Sequence, residues 1–161
     1  MKSIIITGAS SGLGESISIR FAQEGWLVFA GVRNDDDAKS LTEKEPKIQP
    51  VFLDVSKPEQ IKATVDLVTE KLDGQTLGGL VNNAGIAKLG PLALQDIDEF
   101  IQHFEVNAFG GLRMAQAFLP LAYHHFHSVQ GCCSQVQFPA QPLGLLYLKS
   151  WHSHLFFFSQ R

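Results

Sequence analysis

Residues 3–14 run Ser3-Ile4-Ile5-Ile6-Thr7-Gly8-Ala9-Ser10-Ser11-Gly12-Leu13-Gly14, and this stretch decides the fold. Its β-branched start is long enough for one buried strand and too short for a helix. Apolar residues then recur at helical spacing from Ile17 to Ala22, and they predict a helix that ends near Gly25. We therefore expect a strand, a glycine-rich turn and a helix, in that order.

The glycine-rich turn is suited to bind a nucleotide phosphate. Glycines let the backbone turn tightly and approach a pyrophosphate, and a helix N-terminus offers free N–H groups and partial positive charge. The spacing Gly-x-x-x-Gly-x-Gly differs from the Gly-x-Gly-x-x-Gly of the common dinucleotide-binding fingerprint. Three glycines alone leave open a plain strand-to-helix turn that binds nothing.

Length and composition limit the classes of protein to consider. A chain of 161 residues with 45% hydrophobic residues predicts one domain with a packed core. Lysine plus arginine number 13 and aspartate plus glutamate 16, a net charge of −3 without a basic patch. We therefore exclude nucleic acid as a partner.

The same sequence predicts a cytoplasmic protein without a metal. No apolar run reaches the length of a membrane span, and the first strand leaves no room for a signal peptide. Cys132 and Cys133 are adjacent, which favours a reducing compartment over a disulfide framework. The histidines near them have no common zinc-site spacing, so we expect no metal.

Two further apolar runs predict strands at residues 27–32 and 51–55, and residues 79–81 lead into 82–85 as a fourth strand and its exit turn. Helical segments separate these strands. This alternation indicates an α/β fold with a doubly wound parallel sheet, Rossmann-like, truncated after the fourth or fifth strand. Ligands of such sheets bind beyond the carboxyl ends of the strands. The residues predicted at those ends are Thr7, Gly8, Arg33, Asp54, Val55, Asn83, Ala84 and Gly85.

Arg33 bears on the choice of cofactor. A basic residue after the second strand suits the 2′-phosphate of NADP, whereas an acidic residue there suits the ribose of NAD. The aspartates at 35–37 are more typical of the first turn of the next helix. We therefore expect NADP, with NAD as the weaker alternative. Pairing of Arg33 with its acidic neighbours would leave it without such a role.

A long apolar segment follows the fourth predicted strand. From Phe100 to Phe118 it is apolar around much of its circumference, which indicates a buried or interface helix. Asn107 lies in its middle, where asparagine is a poor helix residue. It is either a satisfied core asparagine or a functional one.

Four motifs occur in a fixed order: Thr7 to Gly14, Asp54-Val55, Asn82 to Gly85, and Phe104-Glu105-Val106-Asn107. Together they resemble the short-chain dehydrogenase/reductase family of the Thr-Gly-x-x-x-Gly-x-Gly type, over residues 2 to about 121. The resemblance implies that Asp54 and Val55 flank the adenine and that Asn107 is the catalytic asparagine, holding a water in a proton relay. It assigns the pyrophosphate to Gly8, Ser10, Gly12, Leu13 and Gly14, and the nicotinamide-side ribose to Asn83, Ala84 and Gly85.

The family transfers a hydride between nicotinamide and an alcohol or ketone. A tyrosine acts as general acid/base, and a lysine four residues later lowers its pKa. This chain lacks that Tyr-x-x-x-Lys pattern, although Ser134 and Tyr147 lie at roughly the family's spacing from Asn107, because Trp151 stands four residues after Tyr147. The resemblance thus implies an NADP(H)-dependent oxidoreductase that is inactive or impaired in this form.

The pattern changes abruptly from Tyr123 onward. We expect a dinucleotide-binding part at 1–122 and an aberrant, poorly ordered tail at 123–161 without a further strand. The codons of residues 145–154 can be chosen so that the neighbouring frame encodes Tyr-x-x-Ser-Lys-Ala, the missing motif. A single-base frame change between the codons for Leu121 and His124 is therefore one hypothesis. The alternative to an enzyme is a non-catalytic nucleotide-binding fragment or a non-functional product of a frameshifted gene.

Overall fold

The computed structural model describes residues 2–122, 146–150 and 153–157. A 3-10 turn at Leu92–Leu94 and a π-helical turn at Glu105–Gly110 accompany the regular elements. Those elements are β1 (Ser3–Ile6), α1 (Gly12–Gln23), β2 (Leu27–Val32), α2 (Asp35–Lys44), β3 (Gln49–Phe52), α3 (Pro58–Leu72), β4 (Gly79–Asn82), α4 (Ile97–Phe104), α5 (Gly111–Ala122), β5 (Leu146–Ser150) and β6 (Ser153–Phe157).

The first four strands form a parallel sheet, in the order β3-β2-β1-β4. Ile5 of β1 lies opposite Phe29 of β2 on one side and Leu80 of β4 on the other. Each of these strands is followed by a helical segment, as parallel neighbours require. The predicted α/β Rossmann-like fold is confirmed.

Apolar side chains alternate between the two faces of the sheet. Ile5 faces a core that includes Val68 of α3 and Phe118 of α5, whereas Ile4 faces a core that includes Leu41 of α2. Successive residues of a strand point to opposite faces, so helices must cover both. The sheet is thus buried on both faces, and its strand ends remain available for a ligand.

Strand β3 differs from the predicted range of 51–55, because it spans Gln49–Phe52. The Leu53 amide still donates to the Val32 carbonyl oxygen, at 2.9 Å. The Asp54 amide instead donates to Oε1 of Gln60, at 2.8 Å, which ends the ladder. Asp54 and Val55 therefore lie in the loop beyond the strand, where their side chains reach the ligand side of the sheet.

The sheet continues past β4 as an antiparallel pair, although we expected no strand after residue 123. Strand β6 lies beside β4, with Gly79 opposite Phe157 and Asn82 opposite His154, and β5 pairs with β6. A free strand edge carries unpaired N–H and C=O groups, and the sequence at 146–157 is rich in residues that favour strands. The division of the chain at 122 and 123 stays a prediction.

The segment from 97 to 122 is two α-helices joined by the π-helical turn rather than one uniform helix. Phe118 is buried against the sheet, whereas Phe100, Phe104 and Leu112 are exposed. The Leu77 amide donates to the Leu121 carbonyl oxygen, at 2.8 Å, and so fastens the end of α5 beside the start of β4. None of the helices in the described residues is both long and apolar enough to cross a membrane.

Candidate functional site

The carboxyl ends of β1 to β4 open into a cleft of about 990 Å³. Of the twelve residues that the sequence predicts for the site, all but Gly12 and Gly14 line this cleft. Those two lie in the first turn of α1, next to it. The fold therefore brings the predicted residues together at one edge of the sheet: Gly8, Ser10, Leu13, Arg33, Asp54, Val55, Asn83, Ala84, Gly85 and Asn107 line the cleft.

Two glycines let the turn after β1 lie tightly against the residues after β4. A Cβ atom on Gly14 would lie 2.2 Å from the Gly8 carbonyl oxygen and 2.4 Å from Nδ2 of Asn83. Gly8 has a φ of +64°, and a Cβ atom there would lie 2.7 Å from Cα of Ala84. Any larger residue at either position would force the turn and the residues after β4 apart.

The start of α1 is suited to an anion. The Ser11 side chain makes no capping hydrogen bond to the first turn of α1, so the N–H groups there receive no hydrogen bond from the capping residue. Gly12 has a φ of +61°, and a Cβ atom built on it meets no atom within 4 Å, so the backbone is approachable from outside. Glu15 in the same turn is paired with Lys44. These features fit the pyrophosphate of a dinucleotide.

Thr7 and Asn83 join the two loops by hydrogen bonds. Oγ1 of Thr7 accepts from the amides of Asn83 and Ala84, at 3.0 and 2.9 Å. Nδ2 of Asn83 donates to the carbonyl oxygens of Thr7 and Gly8, at 3.0 and 2.9 Å. Thr7 was predicted to lie at the end of the first strand, but its hydrogen bonds to the loop after β4 were not predicted. A hydroxyl placed directly after a buried strand was the signal for this role.

Arg33 and Asp54 mark the far end of the cleft. Arg33 is exposed and makes no ion pair with the described residues, whereas Asp35 to Asp37 lie in the first turn of α2, as expected. Oδ1 of Asp54 accepts from the Ser56 hydroxyl and amide, at 2.7 and 2.9 Å. Partial burial raises the pKa of Asp54, but these hydrogen bonds and the charges of Arg33 and Lys57 outweigh it and hold the pKa below its ordinary value. Asp54 is therefore a charged acceptor at neutral pH.

Asn107 lies in the π-helical turn and is exposed, so it is not part of the core. Its Oδ1 accepts from the Ile86 amide at 2.9 Å, and its Nδ2 donates to the Ile86 carbonyl oxygen at 2.8 Å. A Cβ atom on Gly85 would lie 3.4 Å from Oδ1 of Asn107. The side chain thus binds the backbone that leaves β4, and π-helical turns are frequent at functional sites.

A second contact on the same loop was missed by the sequence analysis. Nε2 of His103 accepts from the Lys88 amide at 3.1 Å, and Nζ of Lys88 donates to Oε1 of Glu99 at 2.6 Å. The signal that could have revealed it is spacing, because Glu99, His103 and Asn107 are four residues apart. Lys88 and His103 both line the cleft.

The π-helical turn itself is held on two further sides. A Cβ atom on Gly110 would lie 2.6 Å from Cγ2 of Val55, so the turn packs closely on the loop after β3. Nδ2 of Asn82 donates to the Gly111 carbonyl oxygen at 3.2 Å. Oδ1 of Asn82 is buried and has no hydrogen-bond partner among the described residues. The turn that carries Asn107 is therefore in contact with the loops after both β3 and β4.

Some predicted features lie outside the described residues. Ser134 and the cluster of His124, His125, His127, Cys132 and Cys133 lie there, and of Tyr147 only the strand position is described. Within residues 2–122, 146–150 and 153–157, no group of three or more His, Cys, Asp or Glu residues could hold a metal ion.

Known proteins are similar to about three quarters of this chain. The model of the short chain dehydrogenase family matches residues 2–137, which include the expected range from residue 2 to about 121. An NADPH-dependent 3-dehydrocapnine reductase from Ornithobacterium rhinotracheale is 35% identical over 120 residues, which cover 74% of this chain and 42% of the reductase. The mitochondrial D-beta-hydroxybutyrate dehydrogenase of Bos taurus is 35% identical over 127 residues, 74% of this chain and 37% of the dehydrogenase.

Two solved structures are also similar to about three quarters of this chain. The crystal structure of NADPH-bound carbonyl reductase from chicken fatty liver matches with a TM-score of 0.70 and 31% identity, over 75% of this chain and 51% of that one. An alcohol dehydrogenase from Thermococcus sibiricus, solved with 5-hydroxy-NADP, matches with a TM-score of 0.69 and 31% identity, over 75% of this chain and 53% of that one. The chain thus spans about half the length of these solved proteins and less than half of the two relatives above.

Proposed function

Because this chain belongs to the short-chain dehydrogenase family, we propose that its first 122 residues bind NADP(H) in the cleft at the ends of β1 to β4. The observation that carries the proposal is the close approach of Gly14 to Gly8 and Asn83, beside a helix N-terminus that the Ser11 side chain does not cap. This arrangement leaves room for a pyrophosphate and offers it N–H donors. We assign that role to Gly8, Ser10, Gly12, Leu13 and Gly14.

NADP is the proposed cofactor, in preference to NAD. Arg33 has no ion-pair partner among the described residues, so its guanidinium is available for a 2′-phosphate. Asp54 lies on the same side of the cleft with Val55, which we assign to the adenine. The named relative from Ornithobacterium rhinotracheale is NADPH-dependent, and the chicken carbonyl reductase was solved with NADPH. Both names support the phosphate-bearing cofactor.

For a full-length protein of this family, we propose that the reaction is the oxidation of an alcohol or the reduction of a ketone. Bound nicotinamide supplies or accepts the hydride, and this chain's residues hold it in place. We assign the ribose next to it to Asn83, Ala84 and Gly85. Asn107, which binds the backbone of Ile86 beside them, is the proposed catalytic asparagine. Because both amide atoms of Asn107 bind Ile86, its position in the cleft is fixed before any ligand arrives.

We further propose that the 161-residue chain turns over substrate poorly or not at all. The family's acid/base tyrosine needs a lysine four residues later, and neither Tyr123 nor Tyr147 has one. The chain would then act as a non-catalytic nucleotide-binding fragment, or be a non-functional product of a frameshifted gene. The cytoplasmic location, the small-molecule substrate and a homo-oligomer through residues 100–118 stay proposals of the same kind.

Calorimetric titration of the chain with NADPH, NADP⁺ and NADH tests the cofactor proposal. We expect NADPH to bind and NADH to bind more weakly. Absorbance at the nicotinamide band, followed with a panel of ketones, tests turnover, and we expect none above buffer. Absence of NADPH binding would refute the first proposal, and measurable turnover would refute the second.

A further inference from the structure

The loop after β4 is held in place by hydrogen bonds rather than by packing. None of residues 85–95 is buried, and the Leu89 side chain is 97% exposed. Apart from the 3-10 turn at Leu92–Leu94, the loop has no regular structure. A segment without buried apolar contacts takes its position from its polar contacts. Those contacts therefore decide where this wall of the cleft stands.

The contacts come from one side of α4 and the π-helical turn. Glu99, His103 and Asn107, which we call the stripe, each reach the loop: Asn107 binds both backbone groups of Ile86, His103 accepts from the Lys88 amide, and Glu99 accepts from Lys88 Nζ. Nε2 of Gln95 donates to the Lys88 carbonyl oxygen at 3.0 Å and closes the loop on itself. Asn107 and His103 thus hold the loop backbone at Ile86 and Lys88, and Glu99 holds the Lys88 side chain.

We propose that His103 is a positioning residue that holds the nicotinamide-side wall of the cleft through the amide of Lys88. The inference rests on the proposed function, because it assumes that the cleft binds NADP(H). Of the stripe, Asn107 fixes the point where the loop leaves β4, and Glu99 binds only the flexible end of Lys88. His103 is the member that accepts from the loop backbone beyond Ile86. Its loss would free residues 87–90 while leaving the strand ends intact.

The position of His103 predicts that its loss weakens binding of only the nicotinamide half of the cofactor. His103 and Lys88 lie beside the residues assigned to the nicotinamide ribose, whereas Arg33 follows β2 and Asp54 follows β3. A ligand that occupies only the Arg33 side, such as 2′,5′-ADP, would not contact residues 86–90. NADPH would contact both sides. A general loss of folding would weaken both ligands, so the ratio of the two affinities separates positioning from stability.

The experiment compares His103→Leu, His103→Gln and the unchanged chain. In His103→Leu we expect the NADPH dissociation constant to rise about three- to tenfold, as for loss of one hydrogen bond, and that of 2′,5′-ADP to stay within about twofold. Glutamine has a carbonyl oxygen near the position of Nε2, so His103→Gln should keep NADPH binding close to the original. Glu70→Leu is the matched control, because no residue of α3 lines the cleft.

Hydrogen exchange of the Lys88 amide, measured without any ligand, supplies the second readout. We expect exchange to be about tenfold faster in His103→Leu and unchanged in His103→Gln. Equal weakening of both ligands, an unaltered Lys88 amide, or failure of His103→Gln to restore NADPH binding would each overturn the inference. If the unchanged chain binds neither ligand, the proposed function fails. The exchange measurement still shows whether the hydrogen bond from the Lys88 amide to His103 holds the loop.

Discussion

Gly14 approaches Asn83 so closely that a Cβ atom on the glycine would lie 2.4 Å from the amide nitrogen of the asparagine. The asparagine holds two carbonyl oxygens of the turn after β1, so it has no free direction in which to move. The turn, the helix start and the loop after β4 are therefore one packed unit. Any change to the glycine must disturb the part of the cleft proposed to bind the pyrophosphate.

Gly14→Ala should unfold more easily than the unchanged chain and lose NADPH binding. The added methyl group would also meet the Gly8 carbonyl oxygen at 2.2 Å, and overpacking of this kind costs about 1–3 kcal/mol in the free energy of unfolding. Urea unfolding and calorimetric titration measure the two effects. Gly90→Ala is the control, since nothing lies within 4 Å of a Cβ atom there. Equal stability of the two variants would show that the turn can relax.

Arg33→Asp should remove the preference for NADPH over NADH. A charge-assisted hydrogen bond to a 2′-phosphate contributes about 1.5–3 kcal/mol, so the ratio of the two dissociation constants should change by about tenfold or more. Arg20→Asp makes the same charge change on α1, where the arginine pairs with Glu24, and should leave the ratio unaltered. Equal affinities for NADPH and NADH in the unchanged chain would contradict the role of Arg33.

Asp54 should make the stability of the chain depend on pH in the acid range. The pKa of Asp54 is lower in the folded chain than its ordinary value, so the unfolded chain binds its proton first as the pH falls. Its contribution is complete above the unfolded-state value of about 3.9 and is lost as the pH falls through the lower folded value. Urea unfolding of Asp54→Asn at a series of pH values should give a flatter profile than the unchanged chain. Glu70→Gln, which changes an exposed carboxylate on α3, should keep the original slope.

The exposed apolar side of α4 should drive self-association. Phe100 and Phe104 contact each other edge to face at 5.3 Å between ring centroids, and Ile101 beside them is 52% exposed. An unpartnered surface of this kind indicates an interface or an aggregation site. Ile101→Lys should raise the apparent dimer dissociation constant about tenfold in sedimentation experiments. Leu67→Lys, at a 39% exposed position of α3, should not, and a monodisperse unchanged monomer would contradict the prediction.

Sequencing the coding DNA is the most direct test of the hypothesis that a frame change produced residues 123–161. We predict a single-base insertion or deletion, or a gene-model error of that size, between the codons for Leu121 and His124. Restoring the frame should give a serine pair and a Tyr-x-x-x-Lys motif, and the restored protein should oxidise or reduce an alcohol/ketone pair with NADP(H). An immediate stop codon in the neighbouring frame, or turnover by the 161-residue chain, would show the hypothesis to be wrong.

Residues whose role depends on the local chain could be predicted from sequence. The strand at residues 27–32 follows from its apolar composition, and the aspartates of α2 follow from the preference of helix N-termini for acids. The glycine-rich turn was placed correctly because strand, turn and helix follow one another without interruption. These features can be predicted without knowing which residues pack against them.

Residues whose role depends on a distant partner could not be predicted from the sequence. Gln60 ends β3 by accepting from the Asp54 amide, a contact that no local pattern indicates. The hydrogen bond of His103 to the Lys88 amide joins residues 15 apart, and it became visible only with α4 folded beside the loop. The pairing of β6 with β4 joins segments more than 70 residues apart, and the free edge that permits it is a property of the sheet.

The hydrogen bond between the Leu77 amide and the Leu121 carbonyl oxygen also bears on the topology of any chain that follows α5. Leu77 precedes β4, so α5 ends beside the point where β4 begins. An extended segment that started there would run in the same direction as β4 and complete a right-handed crossover, the hand found in nearly all such connections. Strand β6 has the opposite polarity. The edge of β4 can therefore accept either of two competing strands, and the direction of only one of them is set by the first 122 residues.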